Sequence, residues 1–253
     1  MQVHQRIISW LSDYLDNSGC DCFIIGVSGG IDSSLVSTLC ALSGKKTFLV
    51  SLPINQNIEQ LKRAKKHSSW LIEKRSNVSF LEIELDGVFN SYKKTLSENG
   101  VRSNDLSLAN LKSRIRMSTL YYIASINNGL VVGTGNKVED FGIGFFTKYG
   151  DGGVDISPIA DLKKSEVRKM ASDLGIDEEI LKAKPTDGLW DDNRNDEDQI
   201  GATYDELEWA MEYSGSGENT TERQKIVLEI YTLLNNKNKH KMVEIPIFKK
   251  YGI

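Results

Sequence analysis

The chain has 253 residues, 40% of them hydrophobic, with a formal net charge of −4 at pH 7 and a sequence pI near 5.5. That length can bury a full core, and an acidic balance offers no general electrostatic footprint for nucleic acid. No apolar run reaches the roughly 18 residues that a bilayer span needs, and "MQVHQRIISWLSDYL" lacks the basic head and apolar centre of a signal peptide. One cytoplasmic domain over residues 1–253, with no membrane or nucleic-acid partner, is therefore expected.

Helical periodicity over Val3 to Asp16 is followed by a buried strand, Cys22 to Val27, and a helix carrying Leu35, Val36 and Leu39 on one face. "KKTFLVSLP" reads as a second strand closed by Pro53, "NIEQLKRAKKHSSWLIEK" as a helix and "NVSFLEIEL" as a third strand. The polar connection from Asp86 to Asp105 is expected to be a long loop, mobile or disordered. "SLANLKSRIRMSTLYYIASINN" reads as a long helix and "GLVVGTG" as a fourth strand. A helix near Lys164–Leu174 and two late helices flank a second polar stretch, "KAKPTDGLWDDNRNDEDQIG". A mobile loop near residues 182–202 is expected there, its acidic residues forming a solvated face. The alternation predicts an α/β fold, a parallel sheet flanked by helices on both faces.

The three cysteines, Cys20, Cys22 and Cys40, form neither a disulfide framework nor a zinc set, and the three histidines are scattered. The chemistry is concentrated where the first strand runs into Ser28-Gly29-Gly30-Ile31-Asp32-Ser33-Ser34. A strand, a Gly-rich turn and a helix N-terminus cradle phosphate, because free backbone N–H groups and the helix dipole point at the anion. A Walker A loop would carry Lys before the hydroxyl residue, and here Asp32 precedes Ser33.

Ser28-Gly29-Gly30-Ile31-Asp32-Ser33 resembles the loop of the ATP pyrophosphatases, which cleave ATP between its α and β phosphates. Asn110 to Met117, Gly133-Thr134-Gly135-Asn136-Lys137-Val138-Glu139 and "FFTKYGDGGVDISPIADLKKSEVR" narrow the resemblance to the NAD synthetases. "KPTDGLW", "DEDQIGATYDELE" and a late His240-Lys241 extend it over nearly the whole chain. The resemblance implies an adenine nucleotide α-hydrolase-like, Rossmann-like fold. It also implies ATP-dependent amidation of deamido-NAD by ammonia through an adenylated intermediate, with release of AMP and pyrophosphate.

Residue by residue, the resemblance implies that ATP is held by Gly26, Val27, Ser28, Gly29, Gly30, Ile31, Asp32 and Ser33, with Thr134, Lys164 and Thr186. Lys163 is the neighbouring alternative to Lys164. Asp32 would repel phosphates unless a cation intervened, so Mg2+ is the implied cofactor, held by Asp32 and Glu139. Arg114, Lys148, Asp155, His240 and Lys241 match positions that contact deamido-NAD. One of Lys112, Arg114 and Arg116, which share a helix, is expected to be simply solvated. The glycines of the Lys148–Asp155 block are expected to provide unusual dihedrals or close ligand approach. The attacking carboxylate is already ionised, so the first step needs no base. The second needs neutral ammonia, and Asp151 is the candidate base.

Glutamine-using relatives carry a separate amidase region for which this length leaves no room, so free ammonia is the expected nitrogen source. A homodimer is expected from the resemblance and from the apolar faces of Val3–Asp16 and "RMSTLYYIASI". The competing readings are another amidating or tRNA-modifying ATP pyrophosphatase, which would usually add basic surface or cysteine pairs, and a nucleotide-binding regulatory module. The retained set Asp32, Glu139 and Lys164 argues against the second.

Overall fold

The computed structural model describes residues 1–186, 188–190, 195–215 and 220–250. Four strands, β1 (Cys22–Gly26), β2 (Lys46–Ser51), β3 (Val78–Glu82) and β4 (Gly129–Val131), form one sheet in the order β3-β2-β1-β4. All pairings are parallel, with Cys22 opposite both Lys46 and Gly129, and Thr47 opposite Val78. Alternation along β1 divides the core. Phe23 and Ile25 pack with residues of α1 (Val3–Ser18), α2 (Ile31–Leu42), α6 (Lys164–Asp173) and α7 (Glu178–Leu181). Cys22 and Ile24 face the opposite side, where α4 (Asp86–Glu98) and α5 (Asp105–Asn127) contribute Phe89, Ile115 and Ile123. Strands buried on both faces read as continuous apolar runs, which is why β1 is plain in the sequence.

The connection expected to be a loop at Asp86–Asp105 is instead largely α4. Phe89 is buried while Val88, Tyr92 and Leu96 remain partly exposed, so the helical stripe is narrow and its polar neighbours mask it. The Asp86 carboxylate also accepts the Asn55 backbone N–H at 2.7 Å, tying the helix start to the loop that follows β2.

Beyond the sheet's C-terminal edge lies a third apolar cluster. A π-helical segment, Lys137–Ile143, packs there with α9 (Tyr204–Glu212) and α10 (Glu222–Met242) through Val138, Ile143, Tyr204, Leu207 and Val227. Between α7 and α9 lies α8 (Asp196–Ile200). Asp196 is buried and accepts from the Tyr204 hydroxyl at 3.3 Å, which corrects the solvated-face expectation for that residue. Asp191 and Asp192 of the same acidic run lie outside the described residues. Among the described residues, no helix is long and apolar enough to cross a membrane.

One buried polar pair links α2 to α3 (Ile58–Lys74): Ser37 Oγ lies 2.8 Å from His67 Nε2, in the core. Burial pushes the His67 imidazole down to about 4, from an ordinary value of 6.5. The unfolded chain therefore takes up this proton first as pH falls, so the group's contribution to stability is present above pH 6.5 and lost towards pH 4. The loss amounts to about 3 kcal/mol for a separation of about 2.5 pH units. Denaturant titrations of wild type and His67→Gln between pH 7 and 4 are expected to show a shallower pH slope in the variant.

Candidate active site

The loop after β1 stands where its neighbours diverge, β2 on one side and β4 on the other, at the carboxyl edge where open α/β sheets bind ligands. Gly29 adopts φ +81°, and a Cβ there would meet the Gln60 carbonyl at 2.3 Å, so the turn admits only glycine. The loop is held from within. Ser28 and Ser33 hydroxyls lie 3.1 Å apart, and Ser33 and Ser34 hydroxyls donate to the Gly30 carbonyl. Gly30 is the N-cap of α2 and offers no side-chain acceptor, so the first helical N–H groups remain directed out of the helix end.

These residues line a cleft of about 290 Å3. Of the residues expected to hold ATP, Gly26, Val27, Ser28, Gly30, Ile31, Asp32, Ser33, Thr134, Lys164 and Thr186 lie on its wall. Gly29 shapes the turn from behind. Glu139 and Asp151 share the cleft. Lys164, at the start of α6, reaches inward and is 98% buried, whereas Lys163 pairs with Glu212 outside.

The cleft's charged centre is a triad. Lys164 Nζ donates to Asp32 Oδ2 at 2.5 Å and to Glu139 Oε1 at 2.9 Å. Burial alone would lower the Lys164 pKa, yet the two carboxylates hold it well above its ordinary value. Burial likewise pushes the Asp32 carboxyl up, against the pull of Lys164. Glu139 feels the same burial but is held below its usual range by Lys164, the Tyr204 hydroxyl and Asn136. Asn136 is fully buried. Its Nδ2 donates to Asp32 Oδ1 at 3.1 Å, and its Oδ1 caps the N–H groups of Val138 and Glu139. One side chain thus orients one carboxylate and the backbone that carries the other. Two carboxylates converging on one cation fit magnesium, which is commonly bound through one or two carboxylates together with substrate phosphates and water.

Asp151 lines the cleft with its Oδ1 fixed by Ser113 Oγ at 2.6 Å and by the Thr147 N–H at 3.0 Å. The neighbouring glycines serve close packing: a Cβ on Gly150 would meet Ser113 Oγ at 2.3 Å and one on Gly152 the Phe146 ring at 2.4 Å. The positive φ of this turn belongs to Tyr149. Asp140, which the sequence reading passed over, also lines the cleft. Burial and the charges of Asp151, Glu139 and Asp32 push its carboxyl well above the usual range.

The residues expected to contact deamido-NAD lie outside this cleft wall, and hydrogen bonds join three of them. Arg114 Nη2 donates to the Lys148 carbonyl at 3.3 Å, and Lys148 Nζ donates to the His240 carbonyl at 2.7 Å. Lys241 Nζ donates to the Phe146 carbonyl at 2.7 Å. His240 and Lys241 occupy the last turn of α10 rather than a tail beyond a helix, where cations complement the helix dipole. Of the three basic residues on α5, Lys112 is buried with Nζ on the Leu189 carbonyl, and Arg116 grips Leu52 O and Gln56 Oε1. The exposed member is Arg114. Asp155 stands apart, accepting the Val131 N–H at 2.7 Å and the Tyr121 hydroxyl at 2.9 Å, so its carboxylate completes the edge of β4.

Asn136 and Tyr204, like Asp140, are site residues that residue-level reasoning missed. Asn136 had a readable signal, an Asn directly before an acidic helical turn. Tyr204 had none beyond the helix start marked by Thr203 and Glu206.

A parallel sheet whose switch point carries a lysine-free phosphate-type loop and a paired-carboxylate centre defines an α/β nucleotide-binding protein of the adenine nucleotide α-hydrolase type. The sequence model of the NAD synthase family matches residues 3–245. The chain is 38% identical over 221 residues to an NH3-dependent NAD+ synthetase of Methanococcoides burtonii, covering 86% of this chain and 81% of that one. An NMN synthetase structure from Francisella tularensis aligns with a TM-score of 0.87 at 29% identity, over 98% of each chain. An NH3-dependent NAD synthetase from Campylobacter jejuni aligns with a TM-score of 0.79 at 25% identity, over 98% of this chain and all of that one. The chain belongs to the NAD synthase family.

Proposed function

We propose that this protein amidates deamido-NAD with ammonia at the expense of ATP, releasing NAD, AMP and pyrophosphate. The observation that carries the reading is the joining, in one cleft, of an uncapped helix N-terminus with the Asp32–Lys164–Glu139 triad. An oxygen of the nicotinate carboxylate forms a bond to the α-phosphorus, the bond from that phosphorus to the α,β-bridging oxygen breaks, and pyrophosphate leaves with the electron pair. The N–H groups at the start of α2 stabilise the departing charge, as does Lys164. Asp32 and Glu139 would hold Mg2+, which would neutralise phosphate charge in the leaving group. Ammonia then attacks the acyl carbon, the carbon–oxygen bond to AMP breaks, and Asp151, oriented by Ser113 and Thr147, takes up the proton.

Thr134 and Thr186 line the ATP end. Arg114, Lys148, His240 and Lys241 hold the dinucleotide on the adjoining surface. Lys241 meets phosphate as a point charge. The double substitution His240→Ala with Lys241→Ala is therefore expected to raise the KM for deamido-NAD, leave that for ATP nearly unchanged and reduce kcat modestly, in steady-state kinetics.

The likeness to an NMN synthetase structure favours a second reading, in which the same chemistry acts on nicotinic acid mononucleotide. Purified protein supplied with ATP, Mg2+ and ammonium separates the two. The main reading expects AMP and NAD in equal amounts and a higher kcat/KM for the dinucleotide. A higher value for the mononucleotide would transfer the assignment to it, and AMP release without amide from either would overturn both.

The protein is proposed to act as a homodimer through α4 and α5. Val88, Tyr92, Leu106, Tyr122 and Ile126 are each more than half exposed there, an apolar face of the kind that marks an interface. On α1, Trp10 and Tyr14 are also exposed. Light scattering at micromolar concentration is expected to give twice the 28.3 kDa chain mass.

A further inference from the structure

We propose that Arg63 and Lys184 form a seat for the terminal phosphates of ATP, and for the pyrophosphate released from it, on the β2 side of the loop after β1. The inference rests on the reading of the cleft as an ATP site and assigns two cations that this reading leaves without a role.

Arg63 lies on α3, which follows β2 and packs against the loop from behind. A Cβ on Gly29 would lie 2.3 Å from the Gln60 carbonyl, 3.0 Å from the Ala64 nitrogen and 3.2 Å from the Arg63 Cβ, so helix and loop touch there. Arg63 reaches past that contact to line the cleft, and its Nε donates to the Gly29 carbonyl at 3.2 Å. The bond fixes the guanidinium against the loop, while its Nη groups have no acceptor among the described residues. Glu59, one turn earlier on α3, is bonded instead to Lys62 at 2.8 Å. An arginine stays charged at any pH a protein meets. The cleft wall therefore carries a permanent cation whose outer donors are open to a ligand.

The second cation comes from the segment after α7. Lys184 precedes Pro185 and Thr186 on the cleft wall, and among the described residues no carboxylate pairs with it. Arg63, Lys184 and Thr186 also line a second cavity of about 630 Å3 that adjoins the cleft. The wall shared by the two cavities carries these two cations and no carboxylate. The triad has the opposite balance. Lys164 is outnumbered there by Asp32 and Glu139, and Asp140 and Asp151 share the same cleft. Arg168, also on the cleft wall, is engaged with Asp205 at 3.3 Å. A triphosphate thus meets two cations without carboxylate partners at the shared wall. The guanidinium presents a planar fork that matches phosphate oxygens in pairs, and Lys184 adds a point charge on a flexible stem.

The test is calorimetric titration of inorganic pyrophosphate, and separately of AMP, into wild type, Arg63→Gln, Lys184→Gln and Lys65→Gln, all with Mg2+ and alongside the melting temperature. Lys65, on α3 and paired with Glu82 at 2.9 Å, controls for the loss of one surface charge. Arg63→Gln and Lys184→Gln are each expected to weaken pyrophosphate binding about tenfold or more, with AMP binding within a factor of about two and melting close to wild type. Lys65→Gln is expected to stay within a factor of about two for both ligands. Pyrophosphate affinity equal to wild type in either cleft variant would overturn the role of that residue. Parallel loss of pyrophosphate binding, AMP binding and melting temperature in Arg63→Gln would make Arg63 a brace for the loop and equally overturn it. A loss in Lys65→Gln as large as in the cleft variants would reduce the seat to the general field of the surface. Wild type that binds neither ligand would instead remove the ATP-site reading beneath it.

Discussion

Asp32→Asn and Glu139→Gln are each expected to slow pyrophosphate release by a factor of about 10³ or more, a barrier increase of about 4 kcal/mol. Each keeps the shape of the side chain and removes a charge proposed to hold magnesium. The fold is expected to survive both. The triad carries two negative charges and one positive in the folded protein. Losing one carboxylate therefore leaves a neutral buried pair rather than an isolated ion. Near-normal pyrophosphate release by either variant, measured in a quenched single-turnover assay, would place the metal elsewhere.

Lys164→Met has the opposite balance and a different expected signature. It leaves Asp32 and Glu139 facing one another with no cation between them, in a site where Lys164 itself is almost fully enclosed. Removing one partner from a buried charge network commonly costs about 3–5 kcal/mol. The variant is expected to lose stability of that order in metal-free buffer and to recover part of it when Mg2+ is added. Adenylation should remain severely impaired even then, because the cation proposed to meet the phosphates is gone. Chemical denaturation with and without Mg2+ reads the first effect. A variant as stable as wild type in chelator would mean that the ammonium is not what neutralises the carboxylates.

The contrast between these variants follows from what the sequence displays and what it conceals. β1 and its loop are legible because a strand buried on both faces, two glycines and a lone acidic residue before Ser33 are local signals. The four strands and their parallel order follow from the same alternation. The helix α4 was hidden because Phe89 is its only buried residue, so no apolar stripe stands out. The family resemblance named Arg114, Lys148, Asp155, His240 and Lys241 as a set, but it carried no geometry. Only the fold shows Arg114, Lys148 and His240 joined by hydrogen bonds, with Asp155 turned to β4. Tyr204 is the extreme case. Its ring lies against Lys164, 40 positions away on another element, and nothing in "GATYDELE" announces that this tyrosine reaches a charge cluster.

The central claim, that the nicotinate carboxylate attacks the α-phosphorus in this cleft, is tested most directly by following its oxygen. Deamido-NAD carrying ¹⁸O in both carboxylate positions is incubated with the protein, ATP, Mg2+ and ammonium, and the products are weighed by mass spectrometry. One labelled oxygen is expected in AMP and one in the amide of NAD, with none in pyrophosphate. Label in inorganic phosphate, together with ADP in place of AMP, would show attack on the γ-phosphorus and contradict the mechanism.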